Sequence, residues 1–100
     1  MSVIVLVRVP MDPANLKKIW AERPDDFKKV AEDGKSQGAM HHRWGFGDGY
    51  VMVIDEWPDG ASFQKFFENQ ALIPELMQAA GAQGPPEVTV VEAATGPDEF

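Results

Sequence analysis

The succession of apolar patterns along the chain predicts an α+β fold. It is a ferredoxin-like βαββαβ unit, one antiparallel sheet with helices on one face. Three observations carry this. A valine-rich run opens the sequence, an Asp-Gly step separates two aromatic-rich runs near its middle, and stretches with apolar residues three and four apart divide the strand-like segments. A length of 100 residues fits a single folding unit, expected over residues 1–95 with residues 96–100 as a flexible acidic tail.

Each element has its own local reason. Val3, Val5, Val7 and Val9 alternate with Ile4, Leu6 and Arg8, so the first strand is apolar on both faces, as an interior strand is. Asp12 stands where a helix N-cap would, with Pro13 at the first helical position. Leu16, Trp20, Arg23, Phe27, Val30 and Gly34 then follow at steps of four and three, predicting an amphipathic helix of about twenty residues. Pro24 should kink it or split it in two. Ala39 to Phe46 and Tyr50 to Trp57 read as a hairpin about Asp48-Gly49. Asp59 or Ser62 can cap a helix carrying Phe63, Phe66 and Phe67, and Ile73, Leu76, Met77 and Ala80 mark a further helical segment that Gly81 stops. Val88 to Val91 is the last strand. With both faces of the first and third strands apolar, the helix-free side of the sheet is a partner surface, and a homodimer closed through the two sheet faces is expected.

Charge is unevenly spread. Residues 1–50 hold eight basic and seven acidic side chains, whereas residues 51–100 hold one basic residue, Lys65, against nine acidic ones. A net charge of −7 argues against nucleic acid or an anionic membrane as partner. The absence of cysteine removes disulfides, thiol catalysis and thiolate metal sites, and with the short apolar run Val3–Val7 it suggests a cytoplasmic protein.

Hairpin register decides which polar side chains meet. With a two-residue Asp48-Gly49 loop, His42 falls opposite Asp55, Trp44 opposite Val53 and Met40 opposite Trp57; a three-residue turn with a bulge would bring His41 to Asp55 instead. Either way a carboxylate fixes the tautomer of an imidazole, which suits removal of an acidic C–H or phenol proton. The same pair also has a purely structural reading, as a cross-strand contact. Candidate catalytic residues are therefore His42, Asp55 and His41. Trp57, Trp44 and Phe66 are candidates to hold a small apolar or aromatic ligand, and each equally has a core role. Arg23, on the apolar stripe, could pair with developing negative charge; Arg8 and Arg43 are weaker candidates of that kind. Adjacent histidines on a strand face opposite ways, so no metal is expected. Gly45, Gly47 and Gly49 lie in a hairpin rather than before a helix, which does not suit phosphate binding.

The strand Tyr50-Val51-Met52-Val53-Ile54-Asp55-Glu56-Trp57, the loop Pro58-Asp59-Gly60 and the helix Ser62-Phe63-Gln64-Lys65-Phe66-Phe67 resemble the dimeric α/β barrel superfamily, and within it the antibiotic biosynthesis monooxygenase (ABM) group. Gly84-Pro85-Pro86 before the final strand is similar to some members. The resemblance spans residues 2–94 and implies a homodimer without a cofactor. It also implies a pocket between helices and sheet in each subunit and monooxygenase-like or isomerase-like chemistry on a small aromatic or phenolic compound. Trp57 matches a pocket Trp of the cofactor-free oxygenases, whereas Val53 stands where those enzymes have Asn. The segment Ala71–Glu75 lacks the His of haem-degrading members. The alternative is a non-catalytic module that binds a small ligand or serves assembly.

Overall fold

A computed structural model describes residues 1–100. The valine-rich run forms β1 (Val3–Pro10), which pairs antiparallel on one side with β3 (Tyr50–Trp57) and on the other with β4 (Glu87–Glu92). β2 (His41–Gly47) adds to the free side of β3, giving the order β2-β3-β1-β4. The interior position of β1 explains its two apolar faces: valines at odd positions face the helices, and Ile4 and Leu6 face the other way.

The first helical stretch is two helices, α1 (Pro13–Glu22) and α2 (Pro24–Ser36). Asp12 caps α1, its Oδ1 accepting the Ala14 N–H at 3.0 Å. Pro24 ends the first ladder. Arg23, left between the two helices at φ −132° and ψ 50°, is not helical. α3 (Gly60–Asn69) is capped by Asp59, whose Oδ1 accepts the Ser62 N–H at 2.7 Å. α4 (Leu72–Ala79) stops before Gly81, which takes φ +76°. No helix is long and apolar enough to cross a membrane.

All helices lie on the face that carries Val5, Val7, Val9, Val51 and Trp57, which are buried against Leu16 and Ile19 of α1, Phe63 and Phe66 of α3, and Leu76 of α4. Trp57 is 1% exposed, with the Phe66 ring centroid 5.3 Å away and that of Phe63 at 5.8 Å. Coverage stops short of β4, whose Val88 and Val90 remain exposed. The opposite face is bare: Ile54 and Val91 are exposed there, with Ile4, Leu6 and Met52 half-buried beside them.

Candidate functional site

The register of β2 on β3 comes from the two-residue loop. Gly47 pairs with Tyr50, leaving Asp48 and Gly49 in the turn. Only Gly49 takes a positive φ (+79°), so the turn has the φ signs of type II rather than type I′. His42 then lies opposite Asp55 and Trp44 opposite Val53. Because residues alternate in direction along a strand, these four side chains share the helix-covered face. His41, opposite Glu56, belongs to the other face, although it stands at the border of the cavity described next.

Between this half of the sheet and helices α2 to α4 the two layers do not close. They leave a cavity of about 600 Å³, within the size range of small-molecule sites. Trp44, Val53, Asp55 and Trp57 form its floor; Phe27, Val30, Ala31 and Gly34 of α2 form one wall. Phe63, Phe66 and Phe67 of α3, with Ile73, Leu76 and Met77 of α4, form the other. Trp20 of α1 closes one end, stacked on Phe46 at 5.5 Å and edge-on to Trp44 at 5.8 Å. The lining is therefore apolar and aromatic almost throughout.

One buried polar cluster interrupts it, apart from Lys28 and Lys35 of α2 at the border. His42 Nδ1 is 2.7 Å from Asp55 Oδ1, and the Trp57 indole N–H donates to Asp55 Oδ2 at 3.2 Å. Asp55 is 8% exposed, so its carboxylate meets these two groups in place of water. An ionised carboxylate only accepts, which puts the His42 proton on Nδ1 and leaves Nε2 as the unprotonated ring atom of the neutral imidazole. Nε2 has no protein partner. The His42 side chain is 42% exposed, so this end of the cavity communicates with solvent, and Trp44, edge-on at 5.8 Å, braces the ring. The arrangement can accept a proton at Nε2 while Asp55 stabilises the resulting imidazolium.

The structure brings together His42, Asp55, Trp57, Trp44 and Phe66. Arg23 is a correction. Its Nε donates to Asp26 Oδ2 at 2.8 Å, its Nη2 lies 3.4 Å from Glu75 Oε2, and it does not border the cavity. The break at Pro24 takes residue 23 out of the helical stripe that would have aimed it inward. The Asp26 hydrogen bond holds its guanidinium pKa above the usual arginine value. Among the lining residues that the sequence did not single out as site candidates are Trp20, Phe27, Lys28 and Lys35. The first two lay on the predicted apolar stripe and passed for core; the lysines gave no sequence signal, because their direction follows from where α2 begins.

No family model matches the chain, and no curated protein does. Solved structures do match. SnoaB, a cofactor-independent oxygenase from Streptomyces nogalater, superposes with a TM-score of 0.64 at 19% identity, covering 98% of either chain. The ActVA-Orf6 monooxygenase of Streptomyces coelicolor, in complex with the ligand nanaomycin D, gives 0.66 at 19% identity over 97% of this chain and 93% of that one. NE2512, a protein of unknown function from Nitrosomonas europaea, gives 0.62 at 21% identity over 98% and 96%. The chain thus has the ferredoxin-like α+β fold of these solved structures over essentially its whole length.

Proposed function

We propose that the chain is a monooxygenase-like or isomerase-like enzyme, working without a bound cofactor on a small aromatic or phenolic compound held in the cavity between sheet and helices. The observation that carries this is a single buried carboxylate orienting a half-exposed imidazole at the open end of a mainly apolar cavity of about 600 Å³. His42 Nε2 is the general base. Removal of a phenol or benzylic proton leaves an electron-rich ring system that Trp44, Trp57 and Phe66 enclose. In the oxygenase form, dioxygen takes electrons from this carbanion and bonds to its carbon; loss of water then converts CH₂ to C=O, one oxygen atom staying and the other leaving. In the isomerase form the proton returns to a different carbon. The oxygenase and ligand named for two of the structural neighbours support this class, the fold being shared.

The same reading makes the protein a homodimer. The bare sheet face, with Ile4, Leu6, Met52, Ile54 and Val91, supports closure against a second copy with the helices outside.

Native mass spectrometry of the protein with a panel of quinols and phenols reads oligomer and ligand together. A dimer that retains an aromatic compound and turns it over, with turnover lost in His42→Ala, is the expected result. Retention of a ligand with unchanged turnover in His42→Ala would remove His42 from the mechanism. Retention without turnover of any panel member would favour a binding module.

A further inference from the structure

Charge around the cavity is segregated against the trend of the molecule. The chain carries a net −7, yet Asp55 is the one acidic residue that borders the cavity, and both N–H donors beside it are already engaged with its oxygens. The cationic groups at the border are Lys28 and Lys35 of α2. Neither makes an ion pair, whereas Lys29, one position along, points elsewhere and lies 3.4 Å from Asp33. Asp25, Asp26, Glu32 and Asp33 of the same helix stay off the cavity. Helical geometry accounts for the sorting. Lys28, Ala31 and Lys35 are three and seven residues apart and form one strip of α2, next to the apolar strip of Phe27, Val30 and Gly34. Seven residues span about 10 Å along a helix, and two flexible four-carbon stems can converge on one anion between them.

We propose that the ligand of this cavity is an aromatic ring system bearing one anionic substituent, with the rings among Trp44, Trp57 and Phe66 and the anion received by Lys28 and Lys35 at the α2 rim. The proposal rests on the cavity being a ligand site and adds the substrate class. A free carboxylate is the natural form of such a substituent, since the rim can neutralise it while leaving it partly hydrated. A positive rim on an acidic protein also favours encounter with such a ligand at this opening rather than elsewhere on the surface.

Two fluorescent probes with one skeleton separate the possibilities: N-phenyl-1-naphthylamine, which is neutral, and 8-anilinonaphthalene-1-sulfonate, which differs by a single anionic group. Both are titrated into the full chain at low salt, alongside Ala31→Trp, which fills the rim between the two lysines. The sulfonate is expected to bind about three- to tenfold tighter than the amine, as two solvent-exposed charge contacts allow. Lys28→Gln with Lys35→Gln should erase that difference and leave the neutral probe unaffected, Lys29→Gln should preserve it, and Ala31→Trp should weaken both probes. Equal affinity for the two probes, or a sulfonate preference that survives the double substitution, overturns the anion assignment and leaves the cavity as a site for neutral aromatics. Absence of binding, or binding indifferent to Ala31→Trp, overturns both the cavity reading and the inference built on it.

Discussion

His42 and Asp55 meet across the β2–β3 ladder with 2.7 Å between Nδ1 and Oδ1, and the second oxygen of the same carboxylate holds the Trp57 indole. The imidazole is thereby tied to the core through one buried acid. Orientation of the His42 ring and stability of the β3 end are coupled in this way.

Trp57→Phe keeps a ring in the core but removes the donor to Asp55 Oδ2. A buried acceptor left without its partner costs about 1–3 kcal/mol. Urea denaturation is expected to show a loss of that order, while Trp57→Ala, which also opens a cavity, should lose about 3–5 kcal/mol.

Gly34 lies inside α2 with helical backbone, and an added Cβ would sit 3.6 Å from Phe66 Cζ, an ordinary contact. Gly34→Ala is therefore expected to stabilise the protein by about 0.4–1 kcal/mol, chiefly by restricting the unfolded chain. A lowered melting temperature would show that the cavity wall there has no room to spare.

The α3 cap is pH-dependent. Hydrogen bonds from the Ser62 backbone and side chain hold the Asp59 carboxyl below its usual value of 3.8. A depressed folded-state pKa stabilises the protein fully above the unfolded value, and the effect is lost as pH falls through the folded one. Asp59→Ala should thus lower the melting temperature at pH 7, and the difference from wild type should shrink as pH falls through the depressed folded-state pKa. A difference that does not shrink on acidification would mean the cap acts through something other than its charge.

On the bare face, Ile54→Lys puts a charge among Ile4, Leu6 and Met52 without touching the helix-covered core. Sedimentation should find wild type as a dimer at micromolar concentration and the variant as a folded monomer. Monomeric wild type would remove the dimer from the proposed function.

Much of this was readable from sequence because it is local. The Asp48-Gly49 loop is a two-residue turn, and that alone puts His42 rather than His41 beside Asp55. Asp12 and Asp59 cap the helices that follow them, and β1 occupies the sheet interior its two-sided valine pattern required. What failed depended on the direction of helix axes. Continuous periodicity through Pro24 placed Arg23 on the inner stripe, but the helix restarts after it, and Arg23 ends as a link between Asp26 and Glu75. The same restart turns Lys28 and Lys35 toward the cavity. A gap between layers has no sequence signature either: Trp20 and Phe27 look alike whether they pack on a filled core or border an opening.

The division of labour between α1 and α2 bears on how this protein can change over generations. α1 contributes Leu16 and Ile19 to the packed interior, while Gly34 is the one fully buried residue of α2. On the cavity side of α2, Lys28, Ala31 and Lys35 are exposed, whereas Phe27 and Val30 still pack against the core. Substitutions at those three exposed positions reshape the opening with little penalty in folding, and the helix that carries them begins only at Pro24.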